Sequence, residues 1–281
     1  MPESQTARSH LTGVEDHTRG RCGGVRQATN LGKTVRPMNS QIAARVCAAV
    51  GGLMLVVAAV LGLFVVGPDV VQGDYGRMLY VHPGVAWTMY SAIAVATVSS
   101  IAWLRTRRPH WDHLAGAGIE IAAVFAFLAL VTGSIWGRPT WNSWWQWDPR
   151  ITSTTLLFLL TIGALTVRRL EGTVEQRARR SAVAVLLAAV TVPIVHFSVD
   201  WWRSLHQKKS LAEGKINGLQ LTTMLLSLAG FTLVFAALLI VRARTNRWED
   251  EALDSGLGDA LSARRAEAAA PLGTAAATGR A

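Results

Sequence analysis

Trp136-Gly137-Arg138-Pro139-Thr140-Trp141-Asn142-Ser143-Trp144-Trp145-Gln146-Trp147-Asp148 holds five tryptophans in thirteen residues, with long apolar runs on both sides. Such a stretch between two membrane-length runs belongs where bilayer meets water, the level at which amphipathic rings collect. An interfacial belt accounts for one or two tryptophans. Five in one short loop make a flat apolar ledge, suited to holding another large flat molecule.

Outward from this loop the chain reads as a membrane protein. It has 281 residues, of which 51% are hydrophobic and 16% charged; soluble domains carry about 25% charged residues. Six apolar runs, at about 46–67, 84–104, 115–136, 151–167, 182–199 and 218–241, approach the roughly 20 residues that cross a bilayer. Backbone polar groups have no water to bond within lipid, so these runs must be helices. The expected fold is all-α, a polytopic bundle of six transmembrane helices.

Twenty-one of the 28 Lys and Arg fall in the N-terminal tail, the second and fourth loops and the C-terminal tail. The bias toward positive cytoplasmic segments then places both termini in the cytoplasm. The Trp-rich loop, 136–150, faces outward from the inner membrane, toward the periplasm or cell exterior. The formal net charge of +10 follows from this bias and from anionic headgroups, without a nucleic-acid partner.

Residues 1–41 are polar and non-periodic and read as a disordered cytoplasmic tail, with Met38 as an alternative start. Residues 42–248 form the membrane domain, and the Ala-rich 249–281 reads as a frayed second tail. No cleavable signal peptide is visible. Cys22 and Cys47 form no C-x-x-C pair and lie on the reducing side, which argues against thiol relay chemistry. Trp103, Trp111 and Trp248 read as belt residues of the cytoplasmic interface, and His110 and His113 as residues of a cytoplasmic loop.

Two histidines stand at outer helix ends beside the tryptophans. His82 precedes Pro83, and His196 lies in Pro193-Ile194-Val195-His196-Phe197-Ser198-Val199-Asp200-Trp201-Trp202. Two imidazoles beside an aromatic ledge fit haem, whose iron has two axial positions. Pro83 suits the first turn of the second helix, and the residue before a proline tends to be extended. Pro193 is expected to bend the fifth helix near His196. Arg77, Arg138, Arg150 and Arg203 lie on the outer side, as candidates for bidentate bonds to propionates. Asp148 and Asp200 are candidates either to orient imidazoles or to pair with Arg150 and Arg203. His206, in a polar loop, reads as solvated in preference to a ligand. Glu120 is the one acidic residue well inside a span, a costly position that snorkelling, protonation or a functional role would explain.

The run from Trp136 to Arg150 resembles the tryptophan-rich WWD signature of haem-handling proteins in cytochrome c maturation. Six spans, the 193–202 stretch followed by Ser204-Leu205-His206-Gln207, and His82 five residues before Trp87 make the resemblance closest to the CcmC family, over about 42–241. In one respect the chain departs from the pattern: the family's proline stands two residues after the first histidine, whereas Pro83 follows His82 directly.

The resemblance implies that His82 and His196 ligate the iron of haem b, bound non-covalently and in transit over the WWD segment. The wider cofactor-binding set is then Trp136, Trp141, Trp144, Trp145, Trp147, Asp148, Arg138, Arg150, Trp201 and Trp202. It implies delivery to a CcmE-like periplasmic chaperone, alongside a CcmA–CcmB transport ATPase and a CcmD-like small protein. No catalytic nucleophile, phosphate loop or redox dithiol is evident, so a delivery component is expected rather than an enzyme. A direct haem synthetase of the CcsA type is the alternative, though six spans argue against it. A solute permease is disfavoured by the lack of a midplane charge pair or internal repeat.

Overall fold

A computed structural model describes residues 37–69, 72–206 and 217–269. The elements are α1 (Pro37–Val60), extended by a π-turn (Leu61–Val65), a short 3-10 helix (Asp74–Tyr80), α2 (His82–Thr106), α3 (Pro109–Trp141), α4 (Pro149–Arg169), α5 (Val174–Trp201) and α6 (Gly218–Ala269). No strand occurs among the described residues, and six helices are long and apolar enough to cross a membrane. The all-α, six-span expectation holds.

Close helix approach is built from small residues, as membrane packing requires. A methyl group on Gly118 of α3 would meet the Ala92 carbonyl and the Ala96 amide of α2 at 2.9 Å each. Gly51 of α1 stands equally close to the Gly230 carbonyl of α6. Ser40 accepts from Arg244, Gly51 faces Gly230, and Val66 packs with Met224, so α1 and α6 run antiparallel. The main core lies among α2, α3, α4, α5 and α6, where Met89, Ile93 and Leu157 are fully buried. Leu53, Val56 and Phe64 on the α1 side remain exposed, the apolar surface a bilayer covers.

Several expected boundaries move. α1 begins at Pro37, so the last five residues of the expected tail, 37–41, are helical; residues 1–36 lie outside the described set, and with them the reading of that tail. The loop 136–150 is shorter than expected, because α3 runs through Pro139 to Trp141. Asn142, in the left-handed region at φ 52°, stops it, and Asp148 caps α4 by accepting from the Arg150 amide. His110 and His113 fall in the first turns of α3 rather than a loop. Trp103, expected in the interfacial belt, is buried against Ala178 and Ala182. Residues 249–269 continue α6 instead of fraying, since Ala, Leu, Glu and Arg dominate them and no proline interrupts before Pro271. Residues 270–281 lie outside the described set.

At the end opposite the Trp-rich segment, ion pairs join the helices. Arg168 of α4 donates to both Asp112 oxygens of α3, at 2.6 and 2.8 Å, with both residues buried. Asp250 of α6 takes Arg177 at 2.5 Å and His113 at 3.0 Å. Glu120, the carboxylate inside a span, pairs with Arg242 of α6. That partner accounts for a carboxylate at this depth.

Candidate functional site

Both histidines singled out in the sequence open on one cavity of about 590 Å³. This lies within the roughly 300–1,000 Å³ typical of ligand pockets. The start of α2 supplies His82, Pro83, Trp87 and Tyr90. The end of α3 supplies Trp136, Gly137 and Trp141, α4 supplies Arg150, and the end of α5 supplies His196 and Asp200. Met224 and Leu228 of α6 close one side.

His82 is the first residue of α2, not an extended residue ahead of it. The Val85 amide bonds to the Val81 carbonyl, so the helical turn closes around the histidine, and Pro83, whose missing N–H needs no partner in a first turn, does not prevent it. Its Nδ1 lies 2.9 Å from Thr132 Oγ1. That hydroxyl already donates its hydrogen to the Leu128 carbonyl at 2.8 Å, so it accepts from His82. With its hydrogen so directed, Thr132 favours the tautomer that carries the proton on Nδ1 and leaves the lone pair on Nε2. Trp136 meets the His82 ring edge to face at 5.8 Å, and Gln72 Oε1 holds the Trp136 indole N–H at 2.9 Å.

His196 sits on α5, which continues through Pro193 to Trp201. Its ring meets Tyr90 and Phe197 edge to face, at 6.2 and 4.9 Å. Its backbone carbonyl accepts from Arg150 at 2.9 Å, tying the end of α5 to the start of α4.

Of the four arginines expected on the outer side, Arg150 is the one that lines the cavity. Arg77 instead donates to the Gly62 and Leu63 carbonyls and pairs with Asp74. Arg138 bonds Asn142 and lies over the Trp144 ring, and Arg203 is exposed away from the cavity. The aromatic ledge divides as well. Trp136 and Trp141 line the cavity, whereas Trp144, Trp147, Trp201 and Trp202 are exposed outside it. Trp145 meets Trp147 at 5.5 Å, also outside the lining. Gly137 makes room for Trp141, since a methyl group there would stand 2.6 Å from the indole.

Asp148 is buried behind the cavity wall rather than in it. It accepts from the Arg150 amide at 2.9 Å, the Leu205 amide at 2.7 Å and His206 Nδ1 at 3.1 Å. Burial raises its carboxyl, but the Leu205 amide, the Ser204 hydroxyl and the Arg150 amide outweigh this and hold it below the usual carboxylate range. The imidazole it orients is that of His206, not of His82 or His196.

His206, expected in solvent, is partly buried, lines the cavity and lies 5.0 Å from the Trp141 ring. Burial pushes it below its ordinary value; Asp148 opposes the fall and Arg150 adds to it. Sequence reading ranked this residue below His82 and His196 because its partner lies 58 positions away. Its place in Ser204-Leu205-His206-Gln207, shortly after the tryptophan pair, was the local signal.

The chemistry of the lining suits a large flat anion with a metal centre. Imidazoles can ligate, indoles can cover a ring, and two donors remain unused. Among the described residues, Trp141 Nε1 and Arg150 Nε are buried without a hydrogen-bond partner, and a carboxylate reaching the cavity wall would satisfy them.

Comparison with known proteins shows the family of the chain. The family profile for CcmC, described as "Heme exporter protein C", matches residues 29–255. Proteins named "Heme exporter protein C" are similar to the chain. That of Bradyrhizobium diazoefficiens is 37% identical over 179 residues, covering 63% of this chain and 68% of its own length. That of Escherichia coli K12 is 36% identical over 202 residues, 68% of this chain and 78% of its own. That of Haemophilus influenzae is 34% identical over 206 residues, 71% and 82%. With six spanning helices and a profile match across its membrane domain, the chain belongs to the CcmC family of haem exporter proteins.

Proposed function

We propose that this chain binds haem b, as cargo, in the cavity between α2, α3 and α5, and hands it to a periplasmic chaperone of the CcmE type for cytochrome c maturation. His82 and His196 are the axial ligands. The cavity faces outward from the cytoplasmic membrane, in keeping with the distribution of Lys and Arg. A CcmA–CcmB ATPase and a CcmD-like small protein are the expected partners, and the chain acts by positioning and ligand exchange rather than as an enzyme.

The observation that carries this reading is the shared cavity: His82, His196, Trp136, Trp141 and Arg150 all line it. His82 Nε2 presents a lone pair because Thr132 holds Nδ1–H. Neutral imidazole is a good ligand for haem iron. The indoles of Trp136 and Trp141 cover the macrocycle. Arg150 Nε and Trp141 Nε1 take up propionate oxygens, which satisfies two buried donors.

The test is an absorption spectrum of the full-length protein purified in detergent. Wild type is expected to show a Soret band with low-spin features. His82→Ala and His196→Ala are each expected to lose or shift them. A double substitution that leaves both the spectrum and cytochrome c assembly unchanged would refute the ligand assignment.

A further inference from the structure

A second cavity, of about 370 Å³, opens at the opposite end of the bundle, between α3, α4, the start of α5 and α6. Arg168, Arg169, Arg177 and Arg242 line it. So do four carboxylates, those of Glu120, Glu171, Glu249 and Asp250, which leaves the lining formally neutral and rich in both signs. Part of this charge is matched internally. Arg177 pairs with Asp250, Arg242 with Glu120 and Glu249, and Arg168 with Asp112 just outside the lining. Arg169 and Glu171 are exposed and make no ion pair among the described residues. Arg177 Nε is buried without a hydrogen-bond partner, and Glu249 spends only Oε1 on Arg242.

The cavity is the mouth of an apolar groove. α3 is its floor, where Glu120, Val124, Phe127 and Val131 follow at helical spacing, the last three exposed. α4 forms one wall with Phe158, Ile162, Leu165 and Arg169, again at helical spacing. Phe127 meets Phe158 at 6.0 Å, and Leu165 and Arg169 reach the cavity. On the other wall, exposed Leu238 of α6 stands one turn from Arg242. On all three helices a charged residue gives way to an apolar one within a turn. Such a change marks the level at which headgroups meet acyl chains.

We propose that this groove binds one phospholipid with an ethanolamine headgroup. Its phosphate lies against Arg169 and Arg177, its ammonium against Glu171 and Glu249, and its acyl chains along Val124, Phe127 and Val131. Basic pockets between spanning helices on the cytoplasmic side are recurrent headgroup sites. Here the equal number of carboxylates selects a zwitterion over an anionic headgroup, because a bare anion would face as much repulsion as attraction. A primary ammonium also has N–H donors for those carboxylates, which a choline lacks. The lipid joins α4 to α6 across α3, and its binding is independent of haem.

The experiment strips lipid from the full-length protein in detergent and titrates it with phosphatidylethanolamine, phosphatidylglycerol or phosphatidylcholine. Native mass spectrometry and thermal melting are the readouts. One phosphatidylethanolamine per chain is expected, held about tenfold more tightly than the other two, the worth of one charge-assisted contact. It should raise the melting temperature, as a ligand of the folded state does. Arg169→Gln combined with Glu171→Gln leaves every ion pair given above intact. That variant should melt like wild type without lipid and bind phosphatidylethanolamine about tenfold more weakly. Inorganic phosphate and glycerophosphoethanolamine, which lack acyl chains, should not displace the lipid.

Equal or tighter binding of either other lipid overturns the headgroup assignment. Displacement by inorganic phosphate overturns the role of the groove. Phosphatidylethanolamine that binds the double variant as well as wild type, or binds neither, overturns the site and leaves the groove to a partner's spanning helix.

Discussion

Thr132 Oγ1 lies 2.9 Å from His82 Nδ1, and the same hydroxyl is spent as a donor on the Leu128 carbonyl. One side chain on α3 thus bears directly on the tautomer of a histidine on α2. The relation joins two helices through residues 50 positions apart.

Thr132→Val keeps the shape and removes the acceptor. The His82 ring then loses its fixed tautomer, and haem affinity is expected to fall about tenfold, as for other supporting contacts to ligands. The stability cost should stay near 1 kcal/mol, the net worth of one hydrogen bond. A haem titration beside a thermal melt separates the two. An equal loss in both would mean that the hydroxyl serves only the fold.

Arg150 carries two tasks, a bond to the His196 carbonyl and an unpartnered Nε at the cavity wall. Arg150→Gln should weaken binding of haem about tenfold, since one charge-assisted contact is worth about 1.5–3 kcal/mol. Haem dimethyl ester, which has no propionate charge, should bind wild type and variant alike. A variant that binds the ester just as poorly would show that Arg150 acts through His196 alone.

Gly118 lets α3 lie against the α2 backbone, and the atoms a side chain would strike are the Ala92 carbonyl and Ala96 amide. Backbone of this kind cannot swing aside. Gly118→Ala is expected to cost about 1–3 kcal/mol, the range for overpacking a filled core. The check is a lowered melting temperature in detergent, with Gly52→Ala as the control, because a methyl group there meets nothing within 4 Å.

The Arg168–Asp112 pair is buried, with 10% and 5% of the two side chains exposed. Asp112→Asn leaves a buried guanidinium uncompensated and should cost about 3–5 kcal/mol. Replacing both, as Asp112→Leu with Arg168→Met, should recover much of that, because a filled apolar contact needs no compensation. Equal instability of single and double variants would show that the pair is required for the fold as such.

His206 titrates below its ordinary value of 6.5 in the folded protein. The unfolded chain then takes up a proton first as pH falls. The contribution is therefore present above 6.5 and is lost as pH drops toward the lowered value. Melting temperature measured from neutral pH down to about pH 5 should fall more steeply for wild type than for His206→Gln, as the ordinary histidine range is crossed. Parallel curves would contradict the buried, neutral ring.

Much of the molecule can be read before any coordinates exist. Six apolar runs find their helices because lipid leaves the backbone no other arrangement. Trp136, Trp141, His82 and His196 converge on one end because each stands near the end of its run on the same side of the bundle, and helices of membrane length bring such ends to one level. Boundaries were harder. Pro83 was expected to hold His82 extended, yet a first-turn proline is compatible with the helix. Pro139 was expected within a loop, yet α3 carries through it until Asn142 turns left-handed.

The division between sequence and tertiary structure follows the range of the forces involved. Hydrophobic length, charge bias and aromatic density are local properties of the chain, and they determined the span count, the expected orientation and the kind of ligand to look for. Which arginine reaches the cavity, which tryptophans cover it and which histidine Asp148 holds were decided only when the helices packed. Hydrogen bonds and ion pairs act within about 3 Å, and residues as far apart as Asp112 and Arg168, or Asp148 and His206, come that close only in the assembled bundle.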